Sequence, residues 1–336
     1  MKKIIAFIIT LALSILMCGC GSKTTTSSTN NKTTESNVVL DDNMPVLEDT
    51  RPLEAKENTI TTINGSSVTY NMNTRKIVCI FGSQDVVAFG IKILAYENST
   101  STTGYEKFYE GAKKLENSTP YSYEEVFSYN PELILVNQRM NSSNIKELSK
   151  ICPVIPLLTD SEDFNNRLKL IGNIFGLQES AQKLVDYAEE LKTKMLESLS
   201  KLNLGDKTLT IYTYMGGVSL IPERGFFMNT IIFNYLGVKR LDNVKEFMQN
   251  ESQLAYEPIA DSNIKDYEGD LVFFAAQGSK TISTYVSEKP GWKVLKSVRE
   301  NRVGIIDMDT FAQKGVILLF DQYTQILDAF KVSLKA

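Results

Sequence analysis

The 336-residue chain contains no histidine. That absence removes a Ser-His-Asp triad, a histidine-bearing zinc site and histidine ligation of haem. Neither a Walker A loop nor a glycine fingerprint of the dinucleotide-binding type occurs, so nothing marks a nucleotide site. Cysteine is scarce, four in all, and no C-x-x-C pair supplies zinc-ligand spacing. Basic residues are outnumbered, 36 against 40 acidic, and a formal charge of −4 gives no electrostatic basis for binding nucleic acid. With histidine missing and no convincing pair of carboxylates for acid–base work, the chain does not read as an enzyme. Beyond the first twenty residues, no apolar run is long enough to cross a bilayer.

What is present begins at the N-terminus. Lys2 and Lys3 precede an apolar or small run from Ile4 to Met17, about 14 residues against the roughly 20 that a spanning helix needs. This is the layout of a secretory leader. The run ends in Met17-Cys18-Gly19-Cys20 rather than an A-x-A-like site. A small residue directly before Cys20 resembles a bacterial lipobox, which implies cleavage before Cys20 and diacylation of its thiol. Cys18, behind bulky Met17, is the poorer site. Residues 1–19 are therefore expected to be a signal peptide, whose loss removes Lys2 and Lys3 and moves the formal charge from −4 to −6. Residues 20–45 read as the lipidated cysteine and a solvated tether, because Ser, Thr, Asn and Lys dominate from Gly21 to about Asn43. Cys79 and Cys152 both sit among core-like residues, as buried free thiols or as a disulfide pair.

Past the tether, Thr61-Thr62-Ile63, a turn at Asn64-Gly65 and Val68-Thr69-Tyr70 predict a hairpin. Short apolar, β-branched runs follow at Lys76 to Phe81, Glu132 to Val136 and Val154 to Leu157, with helical stretches near Asp85 to Phe89 and Glu124 to Tyr129. Buried strands alternating with helices predict a mostly parallel sheet covered on both faces. From Phe164 to Leu202 the period becomes helical, broken near Gly172 and Gly176, with the second helix running from about Gln178. The alternation then resumes with strands at Thr208 to Tyr214, Leu271 to Ala275 and Val303 to Asp307, and a closing helix at Leu318 to Phe330. The fold class expected is α/β: two mostly parallel-sheet lobes, 46–177 and 205–336, joined by one long helix at 178–204, with a ligand cleft between the lobes. A weak echo of Tyr123-Glu124-Glu125-Val126 in Tyr256-Glu257-Pro258-Ile259 suggests related lobes or chance.

Several pieces in order carry a family resemblance: Arg75-Lys76-Ile77-Val78, Tyr123-Glu124-Glu125-Val126 through Pro131-Glu132-Leu133-Ile134, Leu148-Ser149-Lys150-Ile151 before Pro153-Val154, and Gly291-Trp292 through Asn301-Arg302-Val303. Behind a lipobox, and spanning Thr59 to the last helix, they resemble the iron-siderophore and cobalamin class of substrate-binding lipoproteins of bacterial ABC importers. The resemblance implies a monomer anchored on the extracytoplasmic face of the cell membrane, delivering a ferric siderophore to a permease. No cofactor is implied, since the chelator holds the iron. Cobalamin is the alternative ligand; haem is disfavoured without histidine.

The resemblance further implies that Glu124 and Glu257 dock onto the permease. Local sequence permits this, because Ser122 with Glu125 forms a capping-box pattern and Pro258 suits a first helical position, which puts Glu257 at the cap. For the ligand, residues that follow strands are expected at the crevice. These are Arg139, Tyr214 and Arg224, with Tyr285 and Phe311 as further aromatic walls. An arginine fork suits the oxygens of a chelate. Trp292 reads as structural.

Overall fold

The central strands of two five-stranded sheets arise where the sequence places short apolar runs whose side chains are buried on both faces. The structure, a computed structural model, describes residue 40 and residues 42–116, 122–158, 164–202, 204–214, 217–221, 229–249, 257–277, 284 and 290–335. The expected leader, Cys20, most of the tether, Arg224 and Tyr285 lie outside the described residues.

The hairpin comes first. Strands β1 (Glu57–Thr61) and β2 (Ser67–Asn71) pair antiparallel with Thr61 opposite Ser67. Thr62 exchanges backbone hydrogen bonds with Gly65 and Ser66, so the loop consumes Thr62 and Ile63, and the strand lies earlier than the sequence pattern placed it. The first sheet contains β3 (Ile77–Cys79), β4 (Ala95–Tyr96), β5 (Lys113–Lys114), β6 (Leu133–Asn137) and β7 (Val154–Leu157), in the order β5-β4-β3-β6-β7 with every neighbour parallel. The second contains β8 (Leu209–Tyr214), β9 (Val218–Leu220), β10 (Glu257–Pro258), β11 (Leu271–Ala276) and β12 (Val303–Asp307), in the order β10-β9-β8-β11-β12. Strands β8, β11 and β12 run parallel, whereas β9 and β10 are antiparallel additions.

Alternate residues of each strand enter different cores. Ile77, Cys79, Leu133, Leu135, Leu209, Ile211, Leu271 and Phe273 join one apolar cluster that also contains Leu168, Leu184, Leu191 and Phe330. Val78, Ile134 and Val136 face a separate cluster on the first sheet, and Tyr212, Val272, Phe274 and Trp292 another on the second. The period of two in a strand produces this division. Trp292 packs edge-on against Tyr212 and Phe274 and is structural, as expected.

Helices Phe164–Phe175 and Gln178–Ser200 connect the sheets in sequence. Gly172 lets the next helix pack closely, since a Cβ there would lie 2.6 Å from that of Ala181. The 23-residue second helix is about 34 Å long at 1.5 Å per residue. Both sheets contribute their inner faces to the core that this helix and the closing helix Leu319–Ser333 share. Ahead of the hairpin, Arg51 is nearly inaccessible, donates to the Met72 and Thr74 carbonyls and to both oxygens of Asp49, and lies over the Phe175 ring. It fastens the segment that contains Leu40, Met44 and Leu47 onto the core.

Glu257 does not cap a helix. It pairs with Leu220 in β10, an edge strand, and the next helical segment begins only at Asp261. Proline is tolerated on an edge strand for the same reason as at a first helical turn: in both places its missing N–H removes no needed bond. Glu257 and Glu124 thus do not occupy equivalent positions. Cys79 and Cys152 are both free thiols; Cys79 is in the shared core, and Cys152 packs on the outer cluster of the first sheet.

Candidate functional site

The chain leaves β3 through Ile80 and Phe81, whose N–H groups both donate to the Leu135 carbonyl, and then turns at Gly82 with φ 80°. Only glycine adopts that backbone cheaply, and a Cβ there would also meet Leu157 Cδ1 at 2.8 Å. The turn sets Gln84 and buried Ser83 at the C-terminal edge of the first sheet. Beside it, β4 runs out into Glu97 and then a string of hydroxyls, Ser99 to Thr103, and β5 ends at Lys114. From the second sheet, β12 runs into helix Met308–Ala312. Asp307 caps that helix, its Oδ2 accepting from the Thr310 N–H and hydroxyl at 2.8 Å each.

Together these segments bound a cleft of about 480 Å³, lined by Phe81, Gln84, Glu97, Lys114, Asp309 and Gln313 among others, including the hydroxyl string and Lys314. It lies where an open α/β sheet presents ligands: beyond the carboxyl ends of its strands and beside the β3/β6 point at which strand order reverses. The volume suits a small organic ligand. Gln313 spans the cleft: its amide donates to the Asp309 carbonyl at 2.7 Å, while its Oε1 accepts from the Gln84 amide and from Ser101 N at 3.2 Å.

Beneath the cleft lies a buried ion pair. Arg167 Nε donates to Asp85 Oδ2 at 2.5 Å, and neither side chain has any exposure. Asp85 Oδ1 accepts from Val316 N at 2.7 Å, and the guanidinium reaches the Lys314 and Leu158 carbonyls at 3.4 and 3.5 Å. Three parts of the chain therefore meet on one pair: the turn after β3, the Phe164–Phe175 helix and the segment after β12.

Glu97 is the deep carboxyl of the site. Its Oε1 accepts from Ser83 N at 3.4 Å, and Oε2 is screened from solvent with no hydrogen-bond partner of good geometry. Burial raises its pKa, against hydrogen bonds from Ser83 and Thr100 that lower it. Tyr109, whose hydroxyl meets that of Ser83 at 3.2 Å, is pushed well above the ordinary phenol value by burial and by Glu97. Among the described residues no group of three His, Cys, Asp or Glu side chains is placed to hold a metal ion.

The expected ligand residues distribute unevenly over this geometry. Arg139 is exposed on the loop after β6, at the same sheet edge as the cleft but not among the side chains lining it. Its N–H donates to Asn137 Oδ1 at 2.7 Å. Tyr214 is half-buried at the end of β8 and packs on the outer cluster of the second sheet. Phe311 is no cleft wall: it is wholly buried in the shared core, while its neighbours Asp309 and Ala312 face the cleft. On a short helix, adjacent residues occupy different faces, which a reading by position after a strand does not resolve. Glu124 is exposed in the first turn of helix Tyr123–Ser128, with Ser122 Oγ accepting from Glu125 N at 3.1 Å. Only half of the capping box forms, because Glu125 Oε1 accepts from Glu116 N instead.

Residues 77–310 match the periplasmic binding protein family. An iron(3+)-hydroxamate-binding protein of Bacillus subtilis, YxeB, is 26% identical over 269 residues, covering 76% of this chain and 79% of that one. The crystal structure of the petrobactin-binding protein YclQ of Bacillus subtilis covers 82% of this chain and 99% of its own, with a TM-score of 0.67 at 19% identity. FhuD2 of Staphylococcus aureus with bound ferrioxamine B gives a TM-score of 0.63 at 16% identity, over 78% of this chain and 100% of that one.

Proposed function

Starting from the membership of this chain in the periplasmic binding protein family, we propose that it captures a ferric siderophore in the cleft between the two sheets and delivers it to an ABC permease. The observation that carries the reading is the cleft itself: about 480 Å³, at the carboxyl ends of the strands, with hydroxyl and amide groups around a deep floor and Lys114 and Lys314 among its lining. Such a site suits an organic chelate that brings its own iron, because the polar lining hydrogen-bonds the chelator while no described cluster of ligands competes for the metal. The names of the relatives, an iron(3+)-hydroxamate-binding and a petrobactin-binding protein, support the same ligand class.

In this reading the protein is a lipoprotein held by Cys20, and Glu124 on the exposed first turn of its helix, with Glu257 on the other half, meets basic residues of the permease. Arg139 reaches the ligand from the rim. Cobalamin is the alternative ligand, and the same titration addresses it. Fluorescence of the purified mature chain is titrated with ferric hydroxamates, ferric catecholates, ferric citrate and cobalamin. Saturable quenching by a ferric siderophore is expected; if none binds, the function is wrong, and saturation by cobalamin alone would replace it with the alternative.

A further inference from the structure

Glu97 is the feature of the cleft that its own protein surroundings leave unfinished. Oε2 is removed from water and no donor meets it with good geometry, and a buried carboxyl oxygen so placed is costly. The nearby polar groups are engaged elsewhere or on the other oxygen, and the Thr100 hydroxyl, close enough to lower the Glu97 pKa, does not meet Oε2 with good geometry. The Ser83 N–H is on Oε1, the Ser83 hydroxyl meets Tyr109, and the Gln84 amide and Ser101 N–H are both on Gln313. Glu97 lines the cleft, so its missing donor points to a ligand arm that shifts the side chains covering Oε2 and supplies one.

The chemistry of that donor is constrained. The iron-bound oxygens of a chelate are acceptors and cannot serve. An ammonium or amide N–H on the organic arm can, and an ammonium also stabilises the charged form of the carboxyl. A polyanionic chelate pressed against the same wall would meet a carboxyl with no cation on it. Of the other lining charges, Lys114 and Asp309 are exposed, where solvent and salt screen them, and Lys314 is half-buried; none is as deep as Glu97, at 8% exposed. Burial also raises the pKa of Glu97, as expected of a carboxyl awaiting a counter-charge.

Resting on the siderophore reading above, we propose that Glu97 is the charge-selecting residue of the cleft. Its Oε2 accepts a hydrogen bond from an ammonium or amide arm of the bound chelate, which favours cationic and neutral ferric hydroxamates over polyanionic chelates. A purely structural Glu97, with a trapped water on Oε2, would instead change the affinity for all chelates alike when replaced.

The test compares a matched pair of probes. Ferrioxamine B carries a free ammonium, and its N-acetylated form has the same iron core without the charge; ferric citrate serves as the anionic probe. The mature wild-type chain should bind the ammonium form about tenfold or more tighter than the acetylated form, the size of a charge-assisted hydrogen bond. Ferric citrate should bind weakest. Glu97→Gln keeps the shape and should bring the ratio to within about twofold, chiefly by weakening the ammonium form. A wild-type ratio near one, a ratio unchanged in Glu97→Gln, or tightest binding of ferric citrate would each overturn the proposal. Those results leave the siderophore function standing, whereas failure to bind any ferric chelate removes both.

Discussion

Replacing Arg167 with alanine isolates the contribution of the buried ion pair beneath the cleft. The Arg167 and Asp85 side chains have no exposure, and their contact is 2.5 Å. Removing the guanidinium leaves Asp85 with one backbone donor, Val316 N at 2.7 Å, and abandons the Leu158 and Lys314 carbonyls. Breaking a buried pair from one side costs about 3–5 kcal/mol, a large part of the roughly 5–15 kcal/mol that holds a domain folded. Urea unfolding of Arg167→Ala should show that loss as a lower midpoint. The double variant Asp85→Leu/Arg167→Met separates charge from hydrogen bonding. It removes the stranded charge but orphans Val316 N, at about 1–3 kcal/mol, so it should lie between wild type and Arg167→Ala. A loss below about 1 kcal/mol for Arg167→Ala, or full recovery in the double variant, would refute this account. Ligand affinity should fall alongside, because the pair holds the segment that carries Gln313 and Lys314.

Gly315→Ala would place a Cβ 2.3 Å from Gln84 Cβ, so the segments must part; a stability loss of about 1–3 kcal/mol is expected from overpacking, and a melting temperature equal to wild type would show that the contact relaxes freely. Asp49 titrates in a known direction: burial raises its pKa, but Arg51, by hydrogen bond and charge, and Arg75 outweigh it and hold it below the ordinary carboxylate value. A lowered folded pKa gives stability that is present above the unfolded value, about 3.9, and is lost as pH falls through the folded one. Acid unfolding of Asp49→Asn should accordingly flatten below about pH 4 relative to wild type. The Cys79 thiol is pushed well above its ordinary value by burial and by Glu97, and burial and Glu132 push that of Cys152 up to about 12. Ellman titration at pH 8 should find both unreactive until denaturant is added, and rapid native labelling of Cys79 would contradict its buried position.

Strands buried on both faces announced themselves in the sequence because they are runs of Ile, Val, Leu and Phe with no competing helical period. Val154–Leu157 and Val303–Asp307 lie where the pattern put them, and the long helix starts at Gln178 as expected. The two-residue strands β4 and β5 were invisible for a physical reason: two residues contain no period, and Lys113–Lys114 is not even apolar. That blind spot hid the site. Glu97 and the hydroxyl string follow β4, and without the strand they read as a polar loop. The available signal was compositional, five consecutive Ser and Thr residues from Ser99 to Thr103 one residue after Ala95-Tyr96-Glu97. Gln84 and Gln313 meet across 229 positions of sequence, a pairing that no local pattern reports.

One core and one buried pair running through both halves bear on how capture works. Two lobes that swing on a hinge must separate interfaces that re-form on closing, and those interfaces are then polar and wet. Here Leu133 and Phe273, from different sheets, belong to a single apolar cluster, and wide opening would expose part of it at about 25 cal/mol per Å². It would also strand Asp85, whose partners come from the Phe164–Phe175 helix and from Val316. At the cleft, by contrast, the Ser99 to Thr103 string and the segment after β12 are linked through Gln313 Oε1, which accepts from Ser101 N and the Gln84 amide, so a local change there breaks fewer contacts than separating the sheets. In the proposed delivery to a permease, recognition of the loaded state then depends on changes at the rim and on what the ligand itself presents there, since the body offers little large-scale difference to read.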